Sequence, residues 1–135
     1  MNWLIKTEPY VFSWDDLVKK GRADWDGVRN YQARNNLKLM KKGDLCLVYH
    51  SNEGLCIVGI AKITKEYFPD PTINDERWVA VEVKAVQKLK HPISLQTVKQ
   101  DDILQRMVFA RQQRLSVSPV TDDEFNRVLL LAGME

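Results

Sequence analysis

The amino-acid sequence predicts an α+β fold in which helices pack around a curled, mostly antiparallel sheet. Strand-like segments outnumber helical segments and mostly follow one another along the chain, which favours antiparallel pairing. The helical segments lie towards both ends and before the first hairpin. This order predicts a small, partly open barrel with helices packed at its mouth.

Length and composition predict one globular domain over residues 1–135, with 28% charged and 44% hydrophobic residues. The net charge of +2 is too small to indicate a nucleic-acid-binding protein by itself, although basic residues cluster at 29–42 and 106–114. The sequence has neither a signal-peptide pattern nor an apolar run of membrane-spanning length. We therefore expect a soluble, cytoplasmic protein without a membrane partner, and the oligomeric state stays open.

The cysteines and histidines predict no metal or cofactor site. Cys46 and Cys56 lie in apolar stretches, which predicts free buried thiols, with a disulfide between them as the alternative. His50 and His91 are the only histidines, and the sequence has no CxxC or HxxxH spacing that would indicate zinc.

The first forty residues predict one strand and two helices. Residues 2–6 alternate apolar with polar and stop near Pro9, which cannot donate to a sheet ladder. Ser13 caps a short helix that runs to about residue 20 and ends at Gly21. A second helix begins near Asn30 and ends before Gly43, and its buried face is formed by Ala33, Leu37 and Met40.

The middle of the chain predicts three strands. Residues 45–50 and 56–64 form a hairpin around the polar turn 51–54. Residues 78–88 alternate cleanly, and the connection before them is stiffened by Pro69 and Pro71. His91 and Pro92 are expected to end this third strand.

The last third predicts two helices and an edge strand. Ser94 caps a short helix to about Lys99. A basic segment, residues 111–120, enters a short strand that Pro119 confines to a sheet edge. Thr121 and Glu124 form a capping box for a terminal helix that reaches Gly133, with Phe125, Val128, Leu129 and Ala132 at helical spacing.

Residues 25–36 (WDGVRNYQARNN) are the strongest functional signal in the sequence. They combine a stacking face, guanidinium forks and carboxamides within one loop-to-helix transition, and these groups suit a flat, polar, anionic partner such as a nucleotide. Gln32, Asn35 and Asn36 are three and four residues apart, so they share a helical face.

Several residues of this segment have structural alternatives. Trp25 is explained equally well as a stacking residue or as a core residue. Arg29 and Arg34 suit a phosphate or a base edge, but surface ion pairs would also account for them. Asn30 is better explained as a helix cap than as a ligand contact. Trp14 and Trp78 are expected in the core.

Further candidates lie at predicted strand ends. Glu8 suits the exocyclic amine of cytosine and Lys6 a carbonyl or phosphate, with a salt bridge between the two as the alternative. Trp3 lies on the same strand. His50 lies at the end of the strand predicted over residues 45–50. A histidine without a nucleophile nearby is more often structural than catalytic. Other candidates for the pocket or its rim are Val28, Tyr49, Ser51, Arg114 and Ser116.

The motifs resemble those of the EVE domain family, whose eukaryotic branch is the thymocyte nuclear protein family. The resemblance covers nearly the whole chain. It rests on residues 6–9 (KTEP), 25–35 (WDGVRNYQARN), 43–45 (GDL), 49–51 (YHS), 57–61 (IVGIA), 67–71 (YFPDP) and 114–117 (RLSV) with 119–120 (PV).

This resemblance implies a PUA-like pseudobarrel, related to domains that read modified bases, with a pocket for a flipped modified base. The sequence departs from the family at Thr7, where many relatives have Ser, at residues 55–56, where Pro-Gly is common, and at Ser118, where Gln is frequent. The segment between Pro71 and Trp78 is shorter than in many relatives. We expect a bacterial-type, stand-alone module, cytoplasmic or associated with the nucleoid.

The favoured hypothesis is a non-enzymatic reader that binds DNA and holds a flipped modified cytosine, 5-methyl or 5-hydroxymethyl. An RNA reader is the alternative, and a hydrolase using Lys6, Glu8 or His50 is a third hypothesis. No catalytic or metal-binding residue is assigned. The predicted ligand-binding residues are Trp3, Lys6, Glu8, Trp25, Val28, Arg29, Asn30, Gln32, Asn35, Tyr49, His50, Ser51, Arg114 and Ser116.

Overall fold

The computed structural model describes residues 1–134 and confirms an α+β fold with one six-stranded sheet and five α-helices. A short 3₁₀ helix spans Leu104–Arg106. In chain order the elements are β1 Asn2–Thr7, α1 Trp14–Lys20, β2 Arg22–Trp25, α2 Tyr31–Leu39, β3 Leu45–His50, β4 Cys56–Pro69, β5 Val79–Ser94, α3 Leu95–Gln100, α4 Val108–Arg111, β6 Val117–Val120 and α5 Asp122–Leu131.

The sheet is mostly antiparallel, as expected. Its strand order is β2-β5-β4-β3-β1-β6, and among the pairs described over residues 1–134 the β1–β3 pair is parallel. β6 is an edge strand, which agrees with Pro119, because proline lacks the N–H that an inner strand would need.

Hydrophobic residues fill both faces of the sheet. On β1, Trp3 and Ile5 join one core and Leu4 joins the other, as the two-residue period of a strand requires. The first core contains Ala23 of edge strand β2 and Val117 of edge strand β6. Since the two edges share one core, the sheet curls into a partly open barrel. The second core lies under α3, α4 and α5.

The predicted caps are present. Ser13, Asn30, Ser94 and Thr121 each accept a hydrogen bond from a backbone N–H in the first turn of the following helix. Cys46 and Cys56 are free thiols, the first buried and the second partly buried. None of the helices within residues 1–134 is long and apolar enough to cross a membrane.

The structure differs from the predictions in four places. β4 continues beyond residue 64 to Pro69, so this proline lies at the end of a strand rather than in the connection. β2 was not predicted, since four residues with one alternation give little signal. β5 continues through His91 and Pro92 to Ser94: its register with β4 shifts between Gly59 and Ile57, so the proline is accommodated in an irregular part of the ladder. The 3₁₀ helix and α4 were also missed because both are shorter than two helical turns.

The gap between the sheet edges is closed by α2 rather than by strand pairing. Asn36 on this helix donates its side-chain N–H to the carbonyl oxygen of Val117 in β6, at 2.8 Å. Ala33 and Leu37 on the neighbouring face of the helix are fully buried in the first core. We call this junction between α2 and β6 the seam.

Gly59 in β4 lies directly against Trp14 of α1. A Cβ atom at this glycine would be 2.6 Å from Cη2 and Cζ3 of the indole ring, closer than atoms can approach. Trp14 is a core residue, as predicted, with 4% of its surface exposed. The position therefore requires glycine for space rather than for backbone conformation.

We predict that Gly59→Ala lowers the free energy of unfolding by about 1–3 kcal/mol, the usual effect of overpacking a core. In a Trp14→Phe background the same substitution will have a smaller effect, because the shorter ring leaves room for the methyl group. Urea unfolding of the four proteins in this double-mutant cycle measures the coupling. Equal losses in both backgrounds would contradict the assigned contact.

Candidate functional site

A cavity of about 650 Å³ opens at one end of the barrel. It lies where β1 and β2 end, beside the β3–β4 loop and the segment that leads into β6. Its lining consists of Lys6, Thr7, Glu8, Val11, Trp25, Asp26, Gly27, Val28, Arg29, Asn30, Ser51, Asn52, Gln113, Arg114 and Ser116. We call residues 25–30, which connect β2 to α2, the cavity loop.

Backbone hydrogen bonds hold three walls of the cavity together. Ser51 donates its N–H to the carbonyl of Thr7 at 2.9 Å, which ties the β3–β4 loop to β1. Lys6 donates its N–H to the carbonyl of Ser116 at 3.0 Å, which ties β1 to the segment before β6. The side chains that line these three walls therefore project from backbone segments that are hydrogen-bonded to one another.

The fourth wall, the cavity loop, is fixed by the buried carboxylate of Asp70 in the β4–β5 connection. One oxygen of Asp70 accepts the Gly27 N–H at 2.9 Å and the Arg29 guanidinium at 2.8 Å. The other oxygen accepts the N–H and hydroxyl of Thr72, at 2.7 and 2.5 Å. The Asp70 side chain is completely shielded from solvent. Four donors compensate its burial.

These donors decide the protonation state of Asp70. Burial alone would raise the pKa of the carboxyl group, but the hydrogen bonds from Arg29, Thr72 and Gly27 outweigh it and lower the pKa to about 2. The shift from the usual 3.8 corresponds to about 2 kcal/mol of stabilisation at neutral pH. Asp70 is therefore a charged structural anchor.

Most of the hydrogen-bonding capacity of Arg29 is used within the protein. Nη1 binds Asp70 and the carbonyl of Val28, and Nη2 donates to Thr72 at 3.1 Å. The guanidinium carbon also lies 5.7 Å from the centre of the Trp78 ring. Arg29 thus positions the cavity loop and leaves only part of its fork facing the cavity.

Trp25 and Val28 form an apolar part of the lining. Each exposes 7% of its surface and also belongs to the first core. The indole of Trp25 packs edge-on against the ring of Phe12, with centroids 6.1 Å apart. The two explanations offered for Trp25 in the sequence are compatible in geometry, since one side of this residue packs in the core while the remainder lines the cavity.

The two remaining cations that line the cavity, Lys6 and Arg114, differ in whether they bind other groups of the protein. Nζ of Lys6 donates to the carbonyl of Gln113 at 2.7 Å and lies about 6 Å from the Tyr49 and Phe109 ring centres. Burial lowers the pKa of Lys6. Arg114 is exposed, and its side chain has no hydrogen bond or ion pair to any residue in the part of the chain that the structure describes.

Two carboxylates, Glu8 and Asp26, also line the cavity. Glu8 accepts the hydroxyl of Tyr10, which lowers the pKa of the glutamate. The pKa of Asp26 is raised by burial, and the charges of Asp70 and Asp24 add to the effect. A carboxylate in this position can accept hydrogen bonds from an exocyclic amine, and it becomes a donor when protonated.

The structure brings nine of the fourteen predicted ligand-binding residues together in the cavity: Lys6, Glu8, Trp25, Val28, Arg29, Asn30, Ser51, Arg114 and Ser116. Asn30 also caps α2 through the Ala33 N–H, as expected. The alternative ion pair between Lys6 and Glu8 is absent from the contacts of residues 1–134, because each of these side chains has another partner.

The other five lie outside the cavity. Trp3 is buried in the first core and donates its indole N–H to Asp44 at 3.0 Å. Tyr49 is buried in the second core against Phe109. His50 accepts the Trp14 N–H through Nε2 at 3.1 Å, and burial lowers its pKa, which favours the neutral acceptor form.

Gln32 and Asn35 are exposed on α2, beyond the lining of the cavity. Asn35 accepts two hydrogen bonds from Arg34, at 2.7 and 3.1 Å, and Asn36 is used at the seam. The three carboxamides therefore have separate environments, although their spacing predicts that they share one helical face.

Sequence reasoning missed five lining residues besides Gly27: Thr7, Val11, Asp26, Asn52 and Gln113. Asp26 lies within the strongest motif but was not among the predicted ligand-binding residues. Asn52 could have been found from its neighbour Ser51. Val11 and Gln113 carry no distinctive sequence signal, because their place depends on how two separate loops approach each other.

The curled sheet with a cavity at one end defines a PUA-like domain. The chain belongs to the EVE domain family, which it matches over residues 1–131. Mouse thymocyte nuclear protein 1 is 38% identical, over 98% of this chain and 74% of the mouse protein. That alignment spans 167 residues, more than the 135 of this chain, so the mouse protein contains insertions relative to it.

Solved structures show the same fold. The crystal structure of Atu2648 from Agrobacterium tumefaciens has a TM-score of 0.96 and 43% identity, covering 98% of this chain and 93% of that one. Human thymocyte nuclear protein 1, in complex with 5-methylcytosine-containing DNA, has a TM-score of 0.91 and 36% identity, with coverage of 99% and 98%.

We predict that Asp70→Asn lowers the free energy of unfolding by about 3 kcal/mol, near the lower end for breaking a buried ion pair because Arg29 is partly exposed. Since the pKa of Asp70 lies below its usual value, its contribution to the free energy of unfolding is complete above about pH 4 and is lost as the pH falls towards 2. The free energy of unfolding, measured by urea unfolding at several pH values across this range, will therefore depend less on pH in the variant than in the parent protein.

Asp75→Asn is the matched control. Asp75 pairs with Arg77 and also has a pKa of about 2, but its side chain is 25% exposed and its partner 62% exposed. The control will remain close to the parent protein, because exposed ion pairs contribute little. Equal destabilisation by the two substitutions would show that burial of Asp70 is not what matters.

Proposed function

We propose that this protein is a reader of modified cytosine in DNA, which holds a flipped base in the cavity at the end of the barrel. The observation that carries the proposal is the cavity itself: in a member of the EVE domain family, one of its walls is formed by residues 25–30, part of the longest segment of the chain on which the resemblance rests. A relative of the same fold, human thymocyte nuclear protein 1, has been solved with 5-methylcytosine-containing DNA.

The cavity has groups for each part of a flipped nucleotide. Trp25 and Val28 offer apolar surface to a base and its methyl group. Asp26 offers an acceptor for the exocyclic amine of cytosine. Extruding a base costs a few kcal/mol, which stacking and hydrogen bonds to the base edge must offset. The volume of about 650 Å³ lies within the usual range of ligand sites.

Phosphate binding is assigned to the cavity rim. Arg114 is exposed and free of partners within residues 1–134, so it can contact a phosphate without breaking a bond in the protein. The half-buried Lys6 adds positive charge deeper in the cavity, although its Nζ already donates to Gln113. Phosphate contacts of this kind position the nucleic acid and carry no sequence information.

The proposed role involves binding without a chemical step. A hydrolase would need a nucleophile or base within reach of the bound group. The imidazole Nε2 of His50 is occupied by the Trp14 N–H, and this histidine lies outside the lining. Lys6 and Glu8 are engaged by Gln113 and Tyr10. A DNA reader acts where the chromosome is accessible, so we propose a cytoplasmic, nucleoid-associated location.

We predict that DNA oligonucleotides of one sequence bind more tightly with 5-methylcytosine or 5-hydroxymethylcytosine than with cytosine at one position. Fluorescence anisotropy at fixed salt measures the three dissociation constants. The same sequence as RNA, with and without 5-methylcytosine, tests the alternative partner. Equal affinity for all three DNAs would reject modification reading, and a preference for the modified RNA would move the function to RNA.

We predict that Arg114→Ala weakens binding to modified and unmodified DNA alike and reduces the slope of log K against log salt by about one. Arg111→Ala is the matched control, since this exposed arginine is three residues away and outside the cavity lining. Its effect will be smaller. If the two substitutions act equally, general charge rather than the cavity rim would explain binding.

A further inference from the structure

A second cavity, of about 580 Å³, carries a concentration of positive charge. Arg22, Lys42, Lys62 and Lys84 line it, together with Gly43, Ile63, Thr64, Ala85 and Val86. All four cations are exposed. We call this site the basic groove.

Three of its cations form a row across adjacent strands. In the sheet register Arg22 of β2 lies directly opposite Lys84 of β5, and Lys84 lies directly opposite Lys62 of β4. Residues directly opposite each other point to the same face and have close Cβ atoms, so like charges there destabilise a sheet. The fold thus keeps a repulsive arrangement that a bound anion would relieve.

The neighbouring carboxylates neutralise this row only in part. Glu82 lies 3.7 Å from Arg22 and accepts the hydroxyl of Thr64 at 2.8 Å. Glu66 accepts the backbone N–H of Lys42. The side chains of Lys62 and Lys84 have no hydrogen bond or ion pair to any residue between 1 and 134.

The basic groove and the cavity have no lining residue in common. Gly43, just before β3, lines the groove, and Ser51, just after β3, lines the cavity. Eight residues of extended chain span about 25 Å. On β2, Arg22 of the groove and Trp25 of the cavity are three residues apart, and this odd spacing places them on opposite faces of the strand, Arg22 exposed and Trp25 buried. The groove and the cavity therefore open on different surfaces.

We propose that the basic groove binds the phosphodiester backbone of a second nucleic-acid segment, apart from the one whose base enters the cavity. Neighbouring strands are about 4.8 Å apart, so the row is a line of charge about 10 Å long, which matches a chain of phosphates better than one compact ion. Lysine side chains supply flexible point charges, which suits binding without sequence preference.

The experiment compares Lys62→Gln/Lys84→Gln with Lys90→Gln/Lys99→Gln, a pair of exposed lysines outside the groove with the same change in charge. Each protein is first saturated with a short oligonucleotide containing 5-methylcytosine, and binding of a second, labelled, unmodified duplex is then measured. We expect the groove variant to bind the second duplex at least tenfold more weakly than the control, with a salt slope smaller by about two.

Two results would overturn the proposal: equal binding of the second duplex by the two variants, or loss of that binding once the short oligonucleotide is present. Inorganic tripolyphosphate serves as a further probe. If it binds in a groove-dependent way while the duplex does not, the groove is a small-anion site and the nucleic-acid assignment fails.

The same duplex, tested on Arg114→Ala without any blocking oligonucleotide, separates this proposal from that of the reader. Groove-dependent binding will persist in that background whether or not the cavity discriminates modified cytosine. If Lys62→Gln/Lys84→Gln no longer weakens duplex binding in the Arg114→Ala background, the groove and the cavity rim bind the same nucleic-acid segment, and the proposal is overturned.

Discussion

The interaction on which the cavity depends is the burial of one carboxylate. Asp70 belongs to the connection between β4 and β5, yet its oxygens hold Gly27 and Arg29 of the cavity loop. A buried charge is stable only when donors surround it, so the two loops are obliged to meet in one arrangement. The cavity wall is thus defined by a residue that does not line the cavity.

This constraint separates two kinds of polar residue in the site. Arg29, Lys6 and Asn30 are engaged by protein partners, and they hold walls in place. Arg114 and Asp26 make no side-chain hydrogen bonds to other residues within 1–134, and they remain available to a ligand. Because the engaged residues hold the cavity walls in place before a ligand arrives, less entropy is lost when Arg114 and Asp26 bind it.

Sequence reasoning succeeded where the signal is local. The caps at Ser13 and Thr121 and the edge position of Pro119 follow from the chemistry of single residues, and the structure has all three. The role of Asp70 could not be predicted, because its partners Gly27 and Arg29 are more than forty residues away along the chain. Likewise, Trp3 was expected at the cavity as the neighbour of one motif and Tyr49 as a member of another, whereas the alternation of side chains along β1 and β3 places both residues in the hydrophobic cores.

The seam has a kinetic consequence. The barrel is closed between β2 and β6 by side chains of α2, including Asn36, rather than by a ladder of backbone bonds. The cavity loop joins β2 to that same helix. Small outward movements of α2 would therefore widen the entrance by exchanging a few side-chain contacts, while every strand pair stays intact. Entry and release of a bulky group can then be faster than local unfolding of the sheet, which is the slower event in a tightly paired barrel.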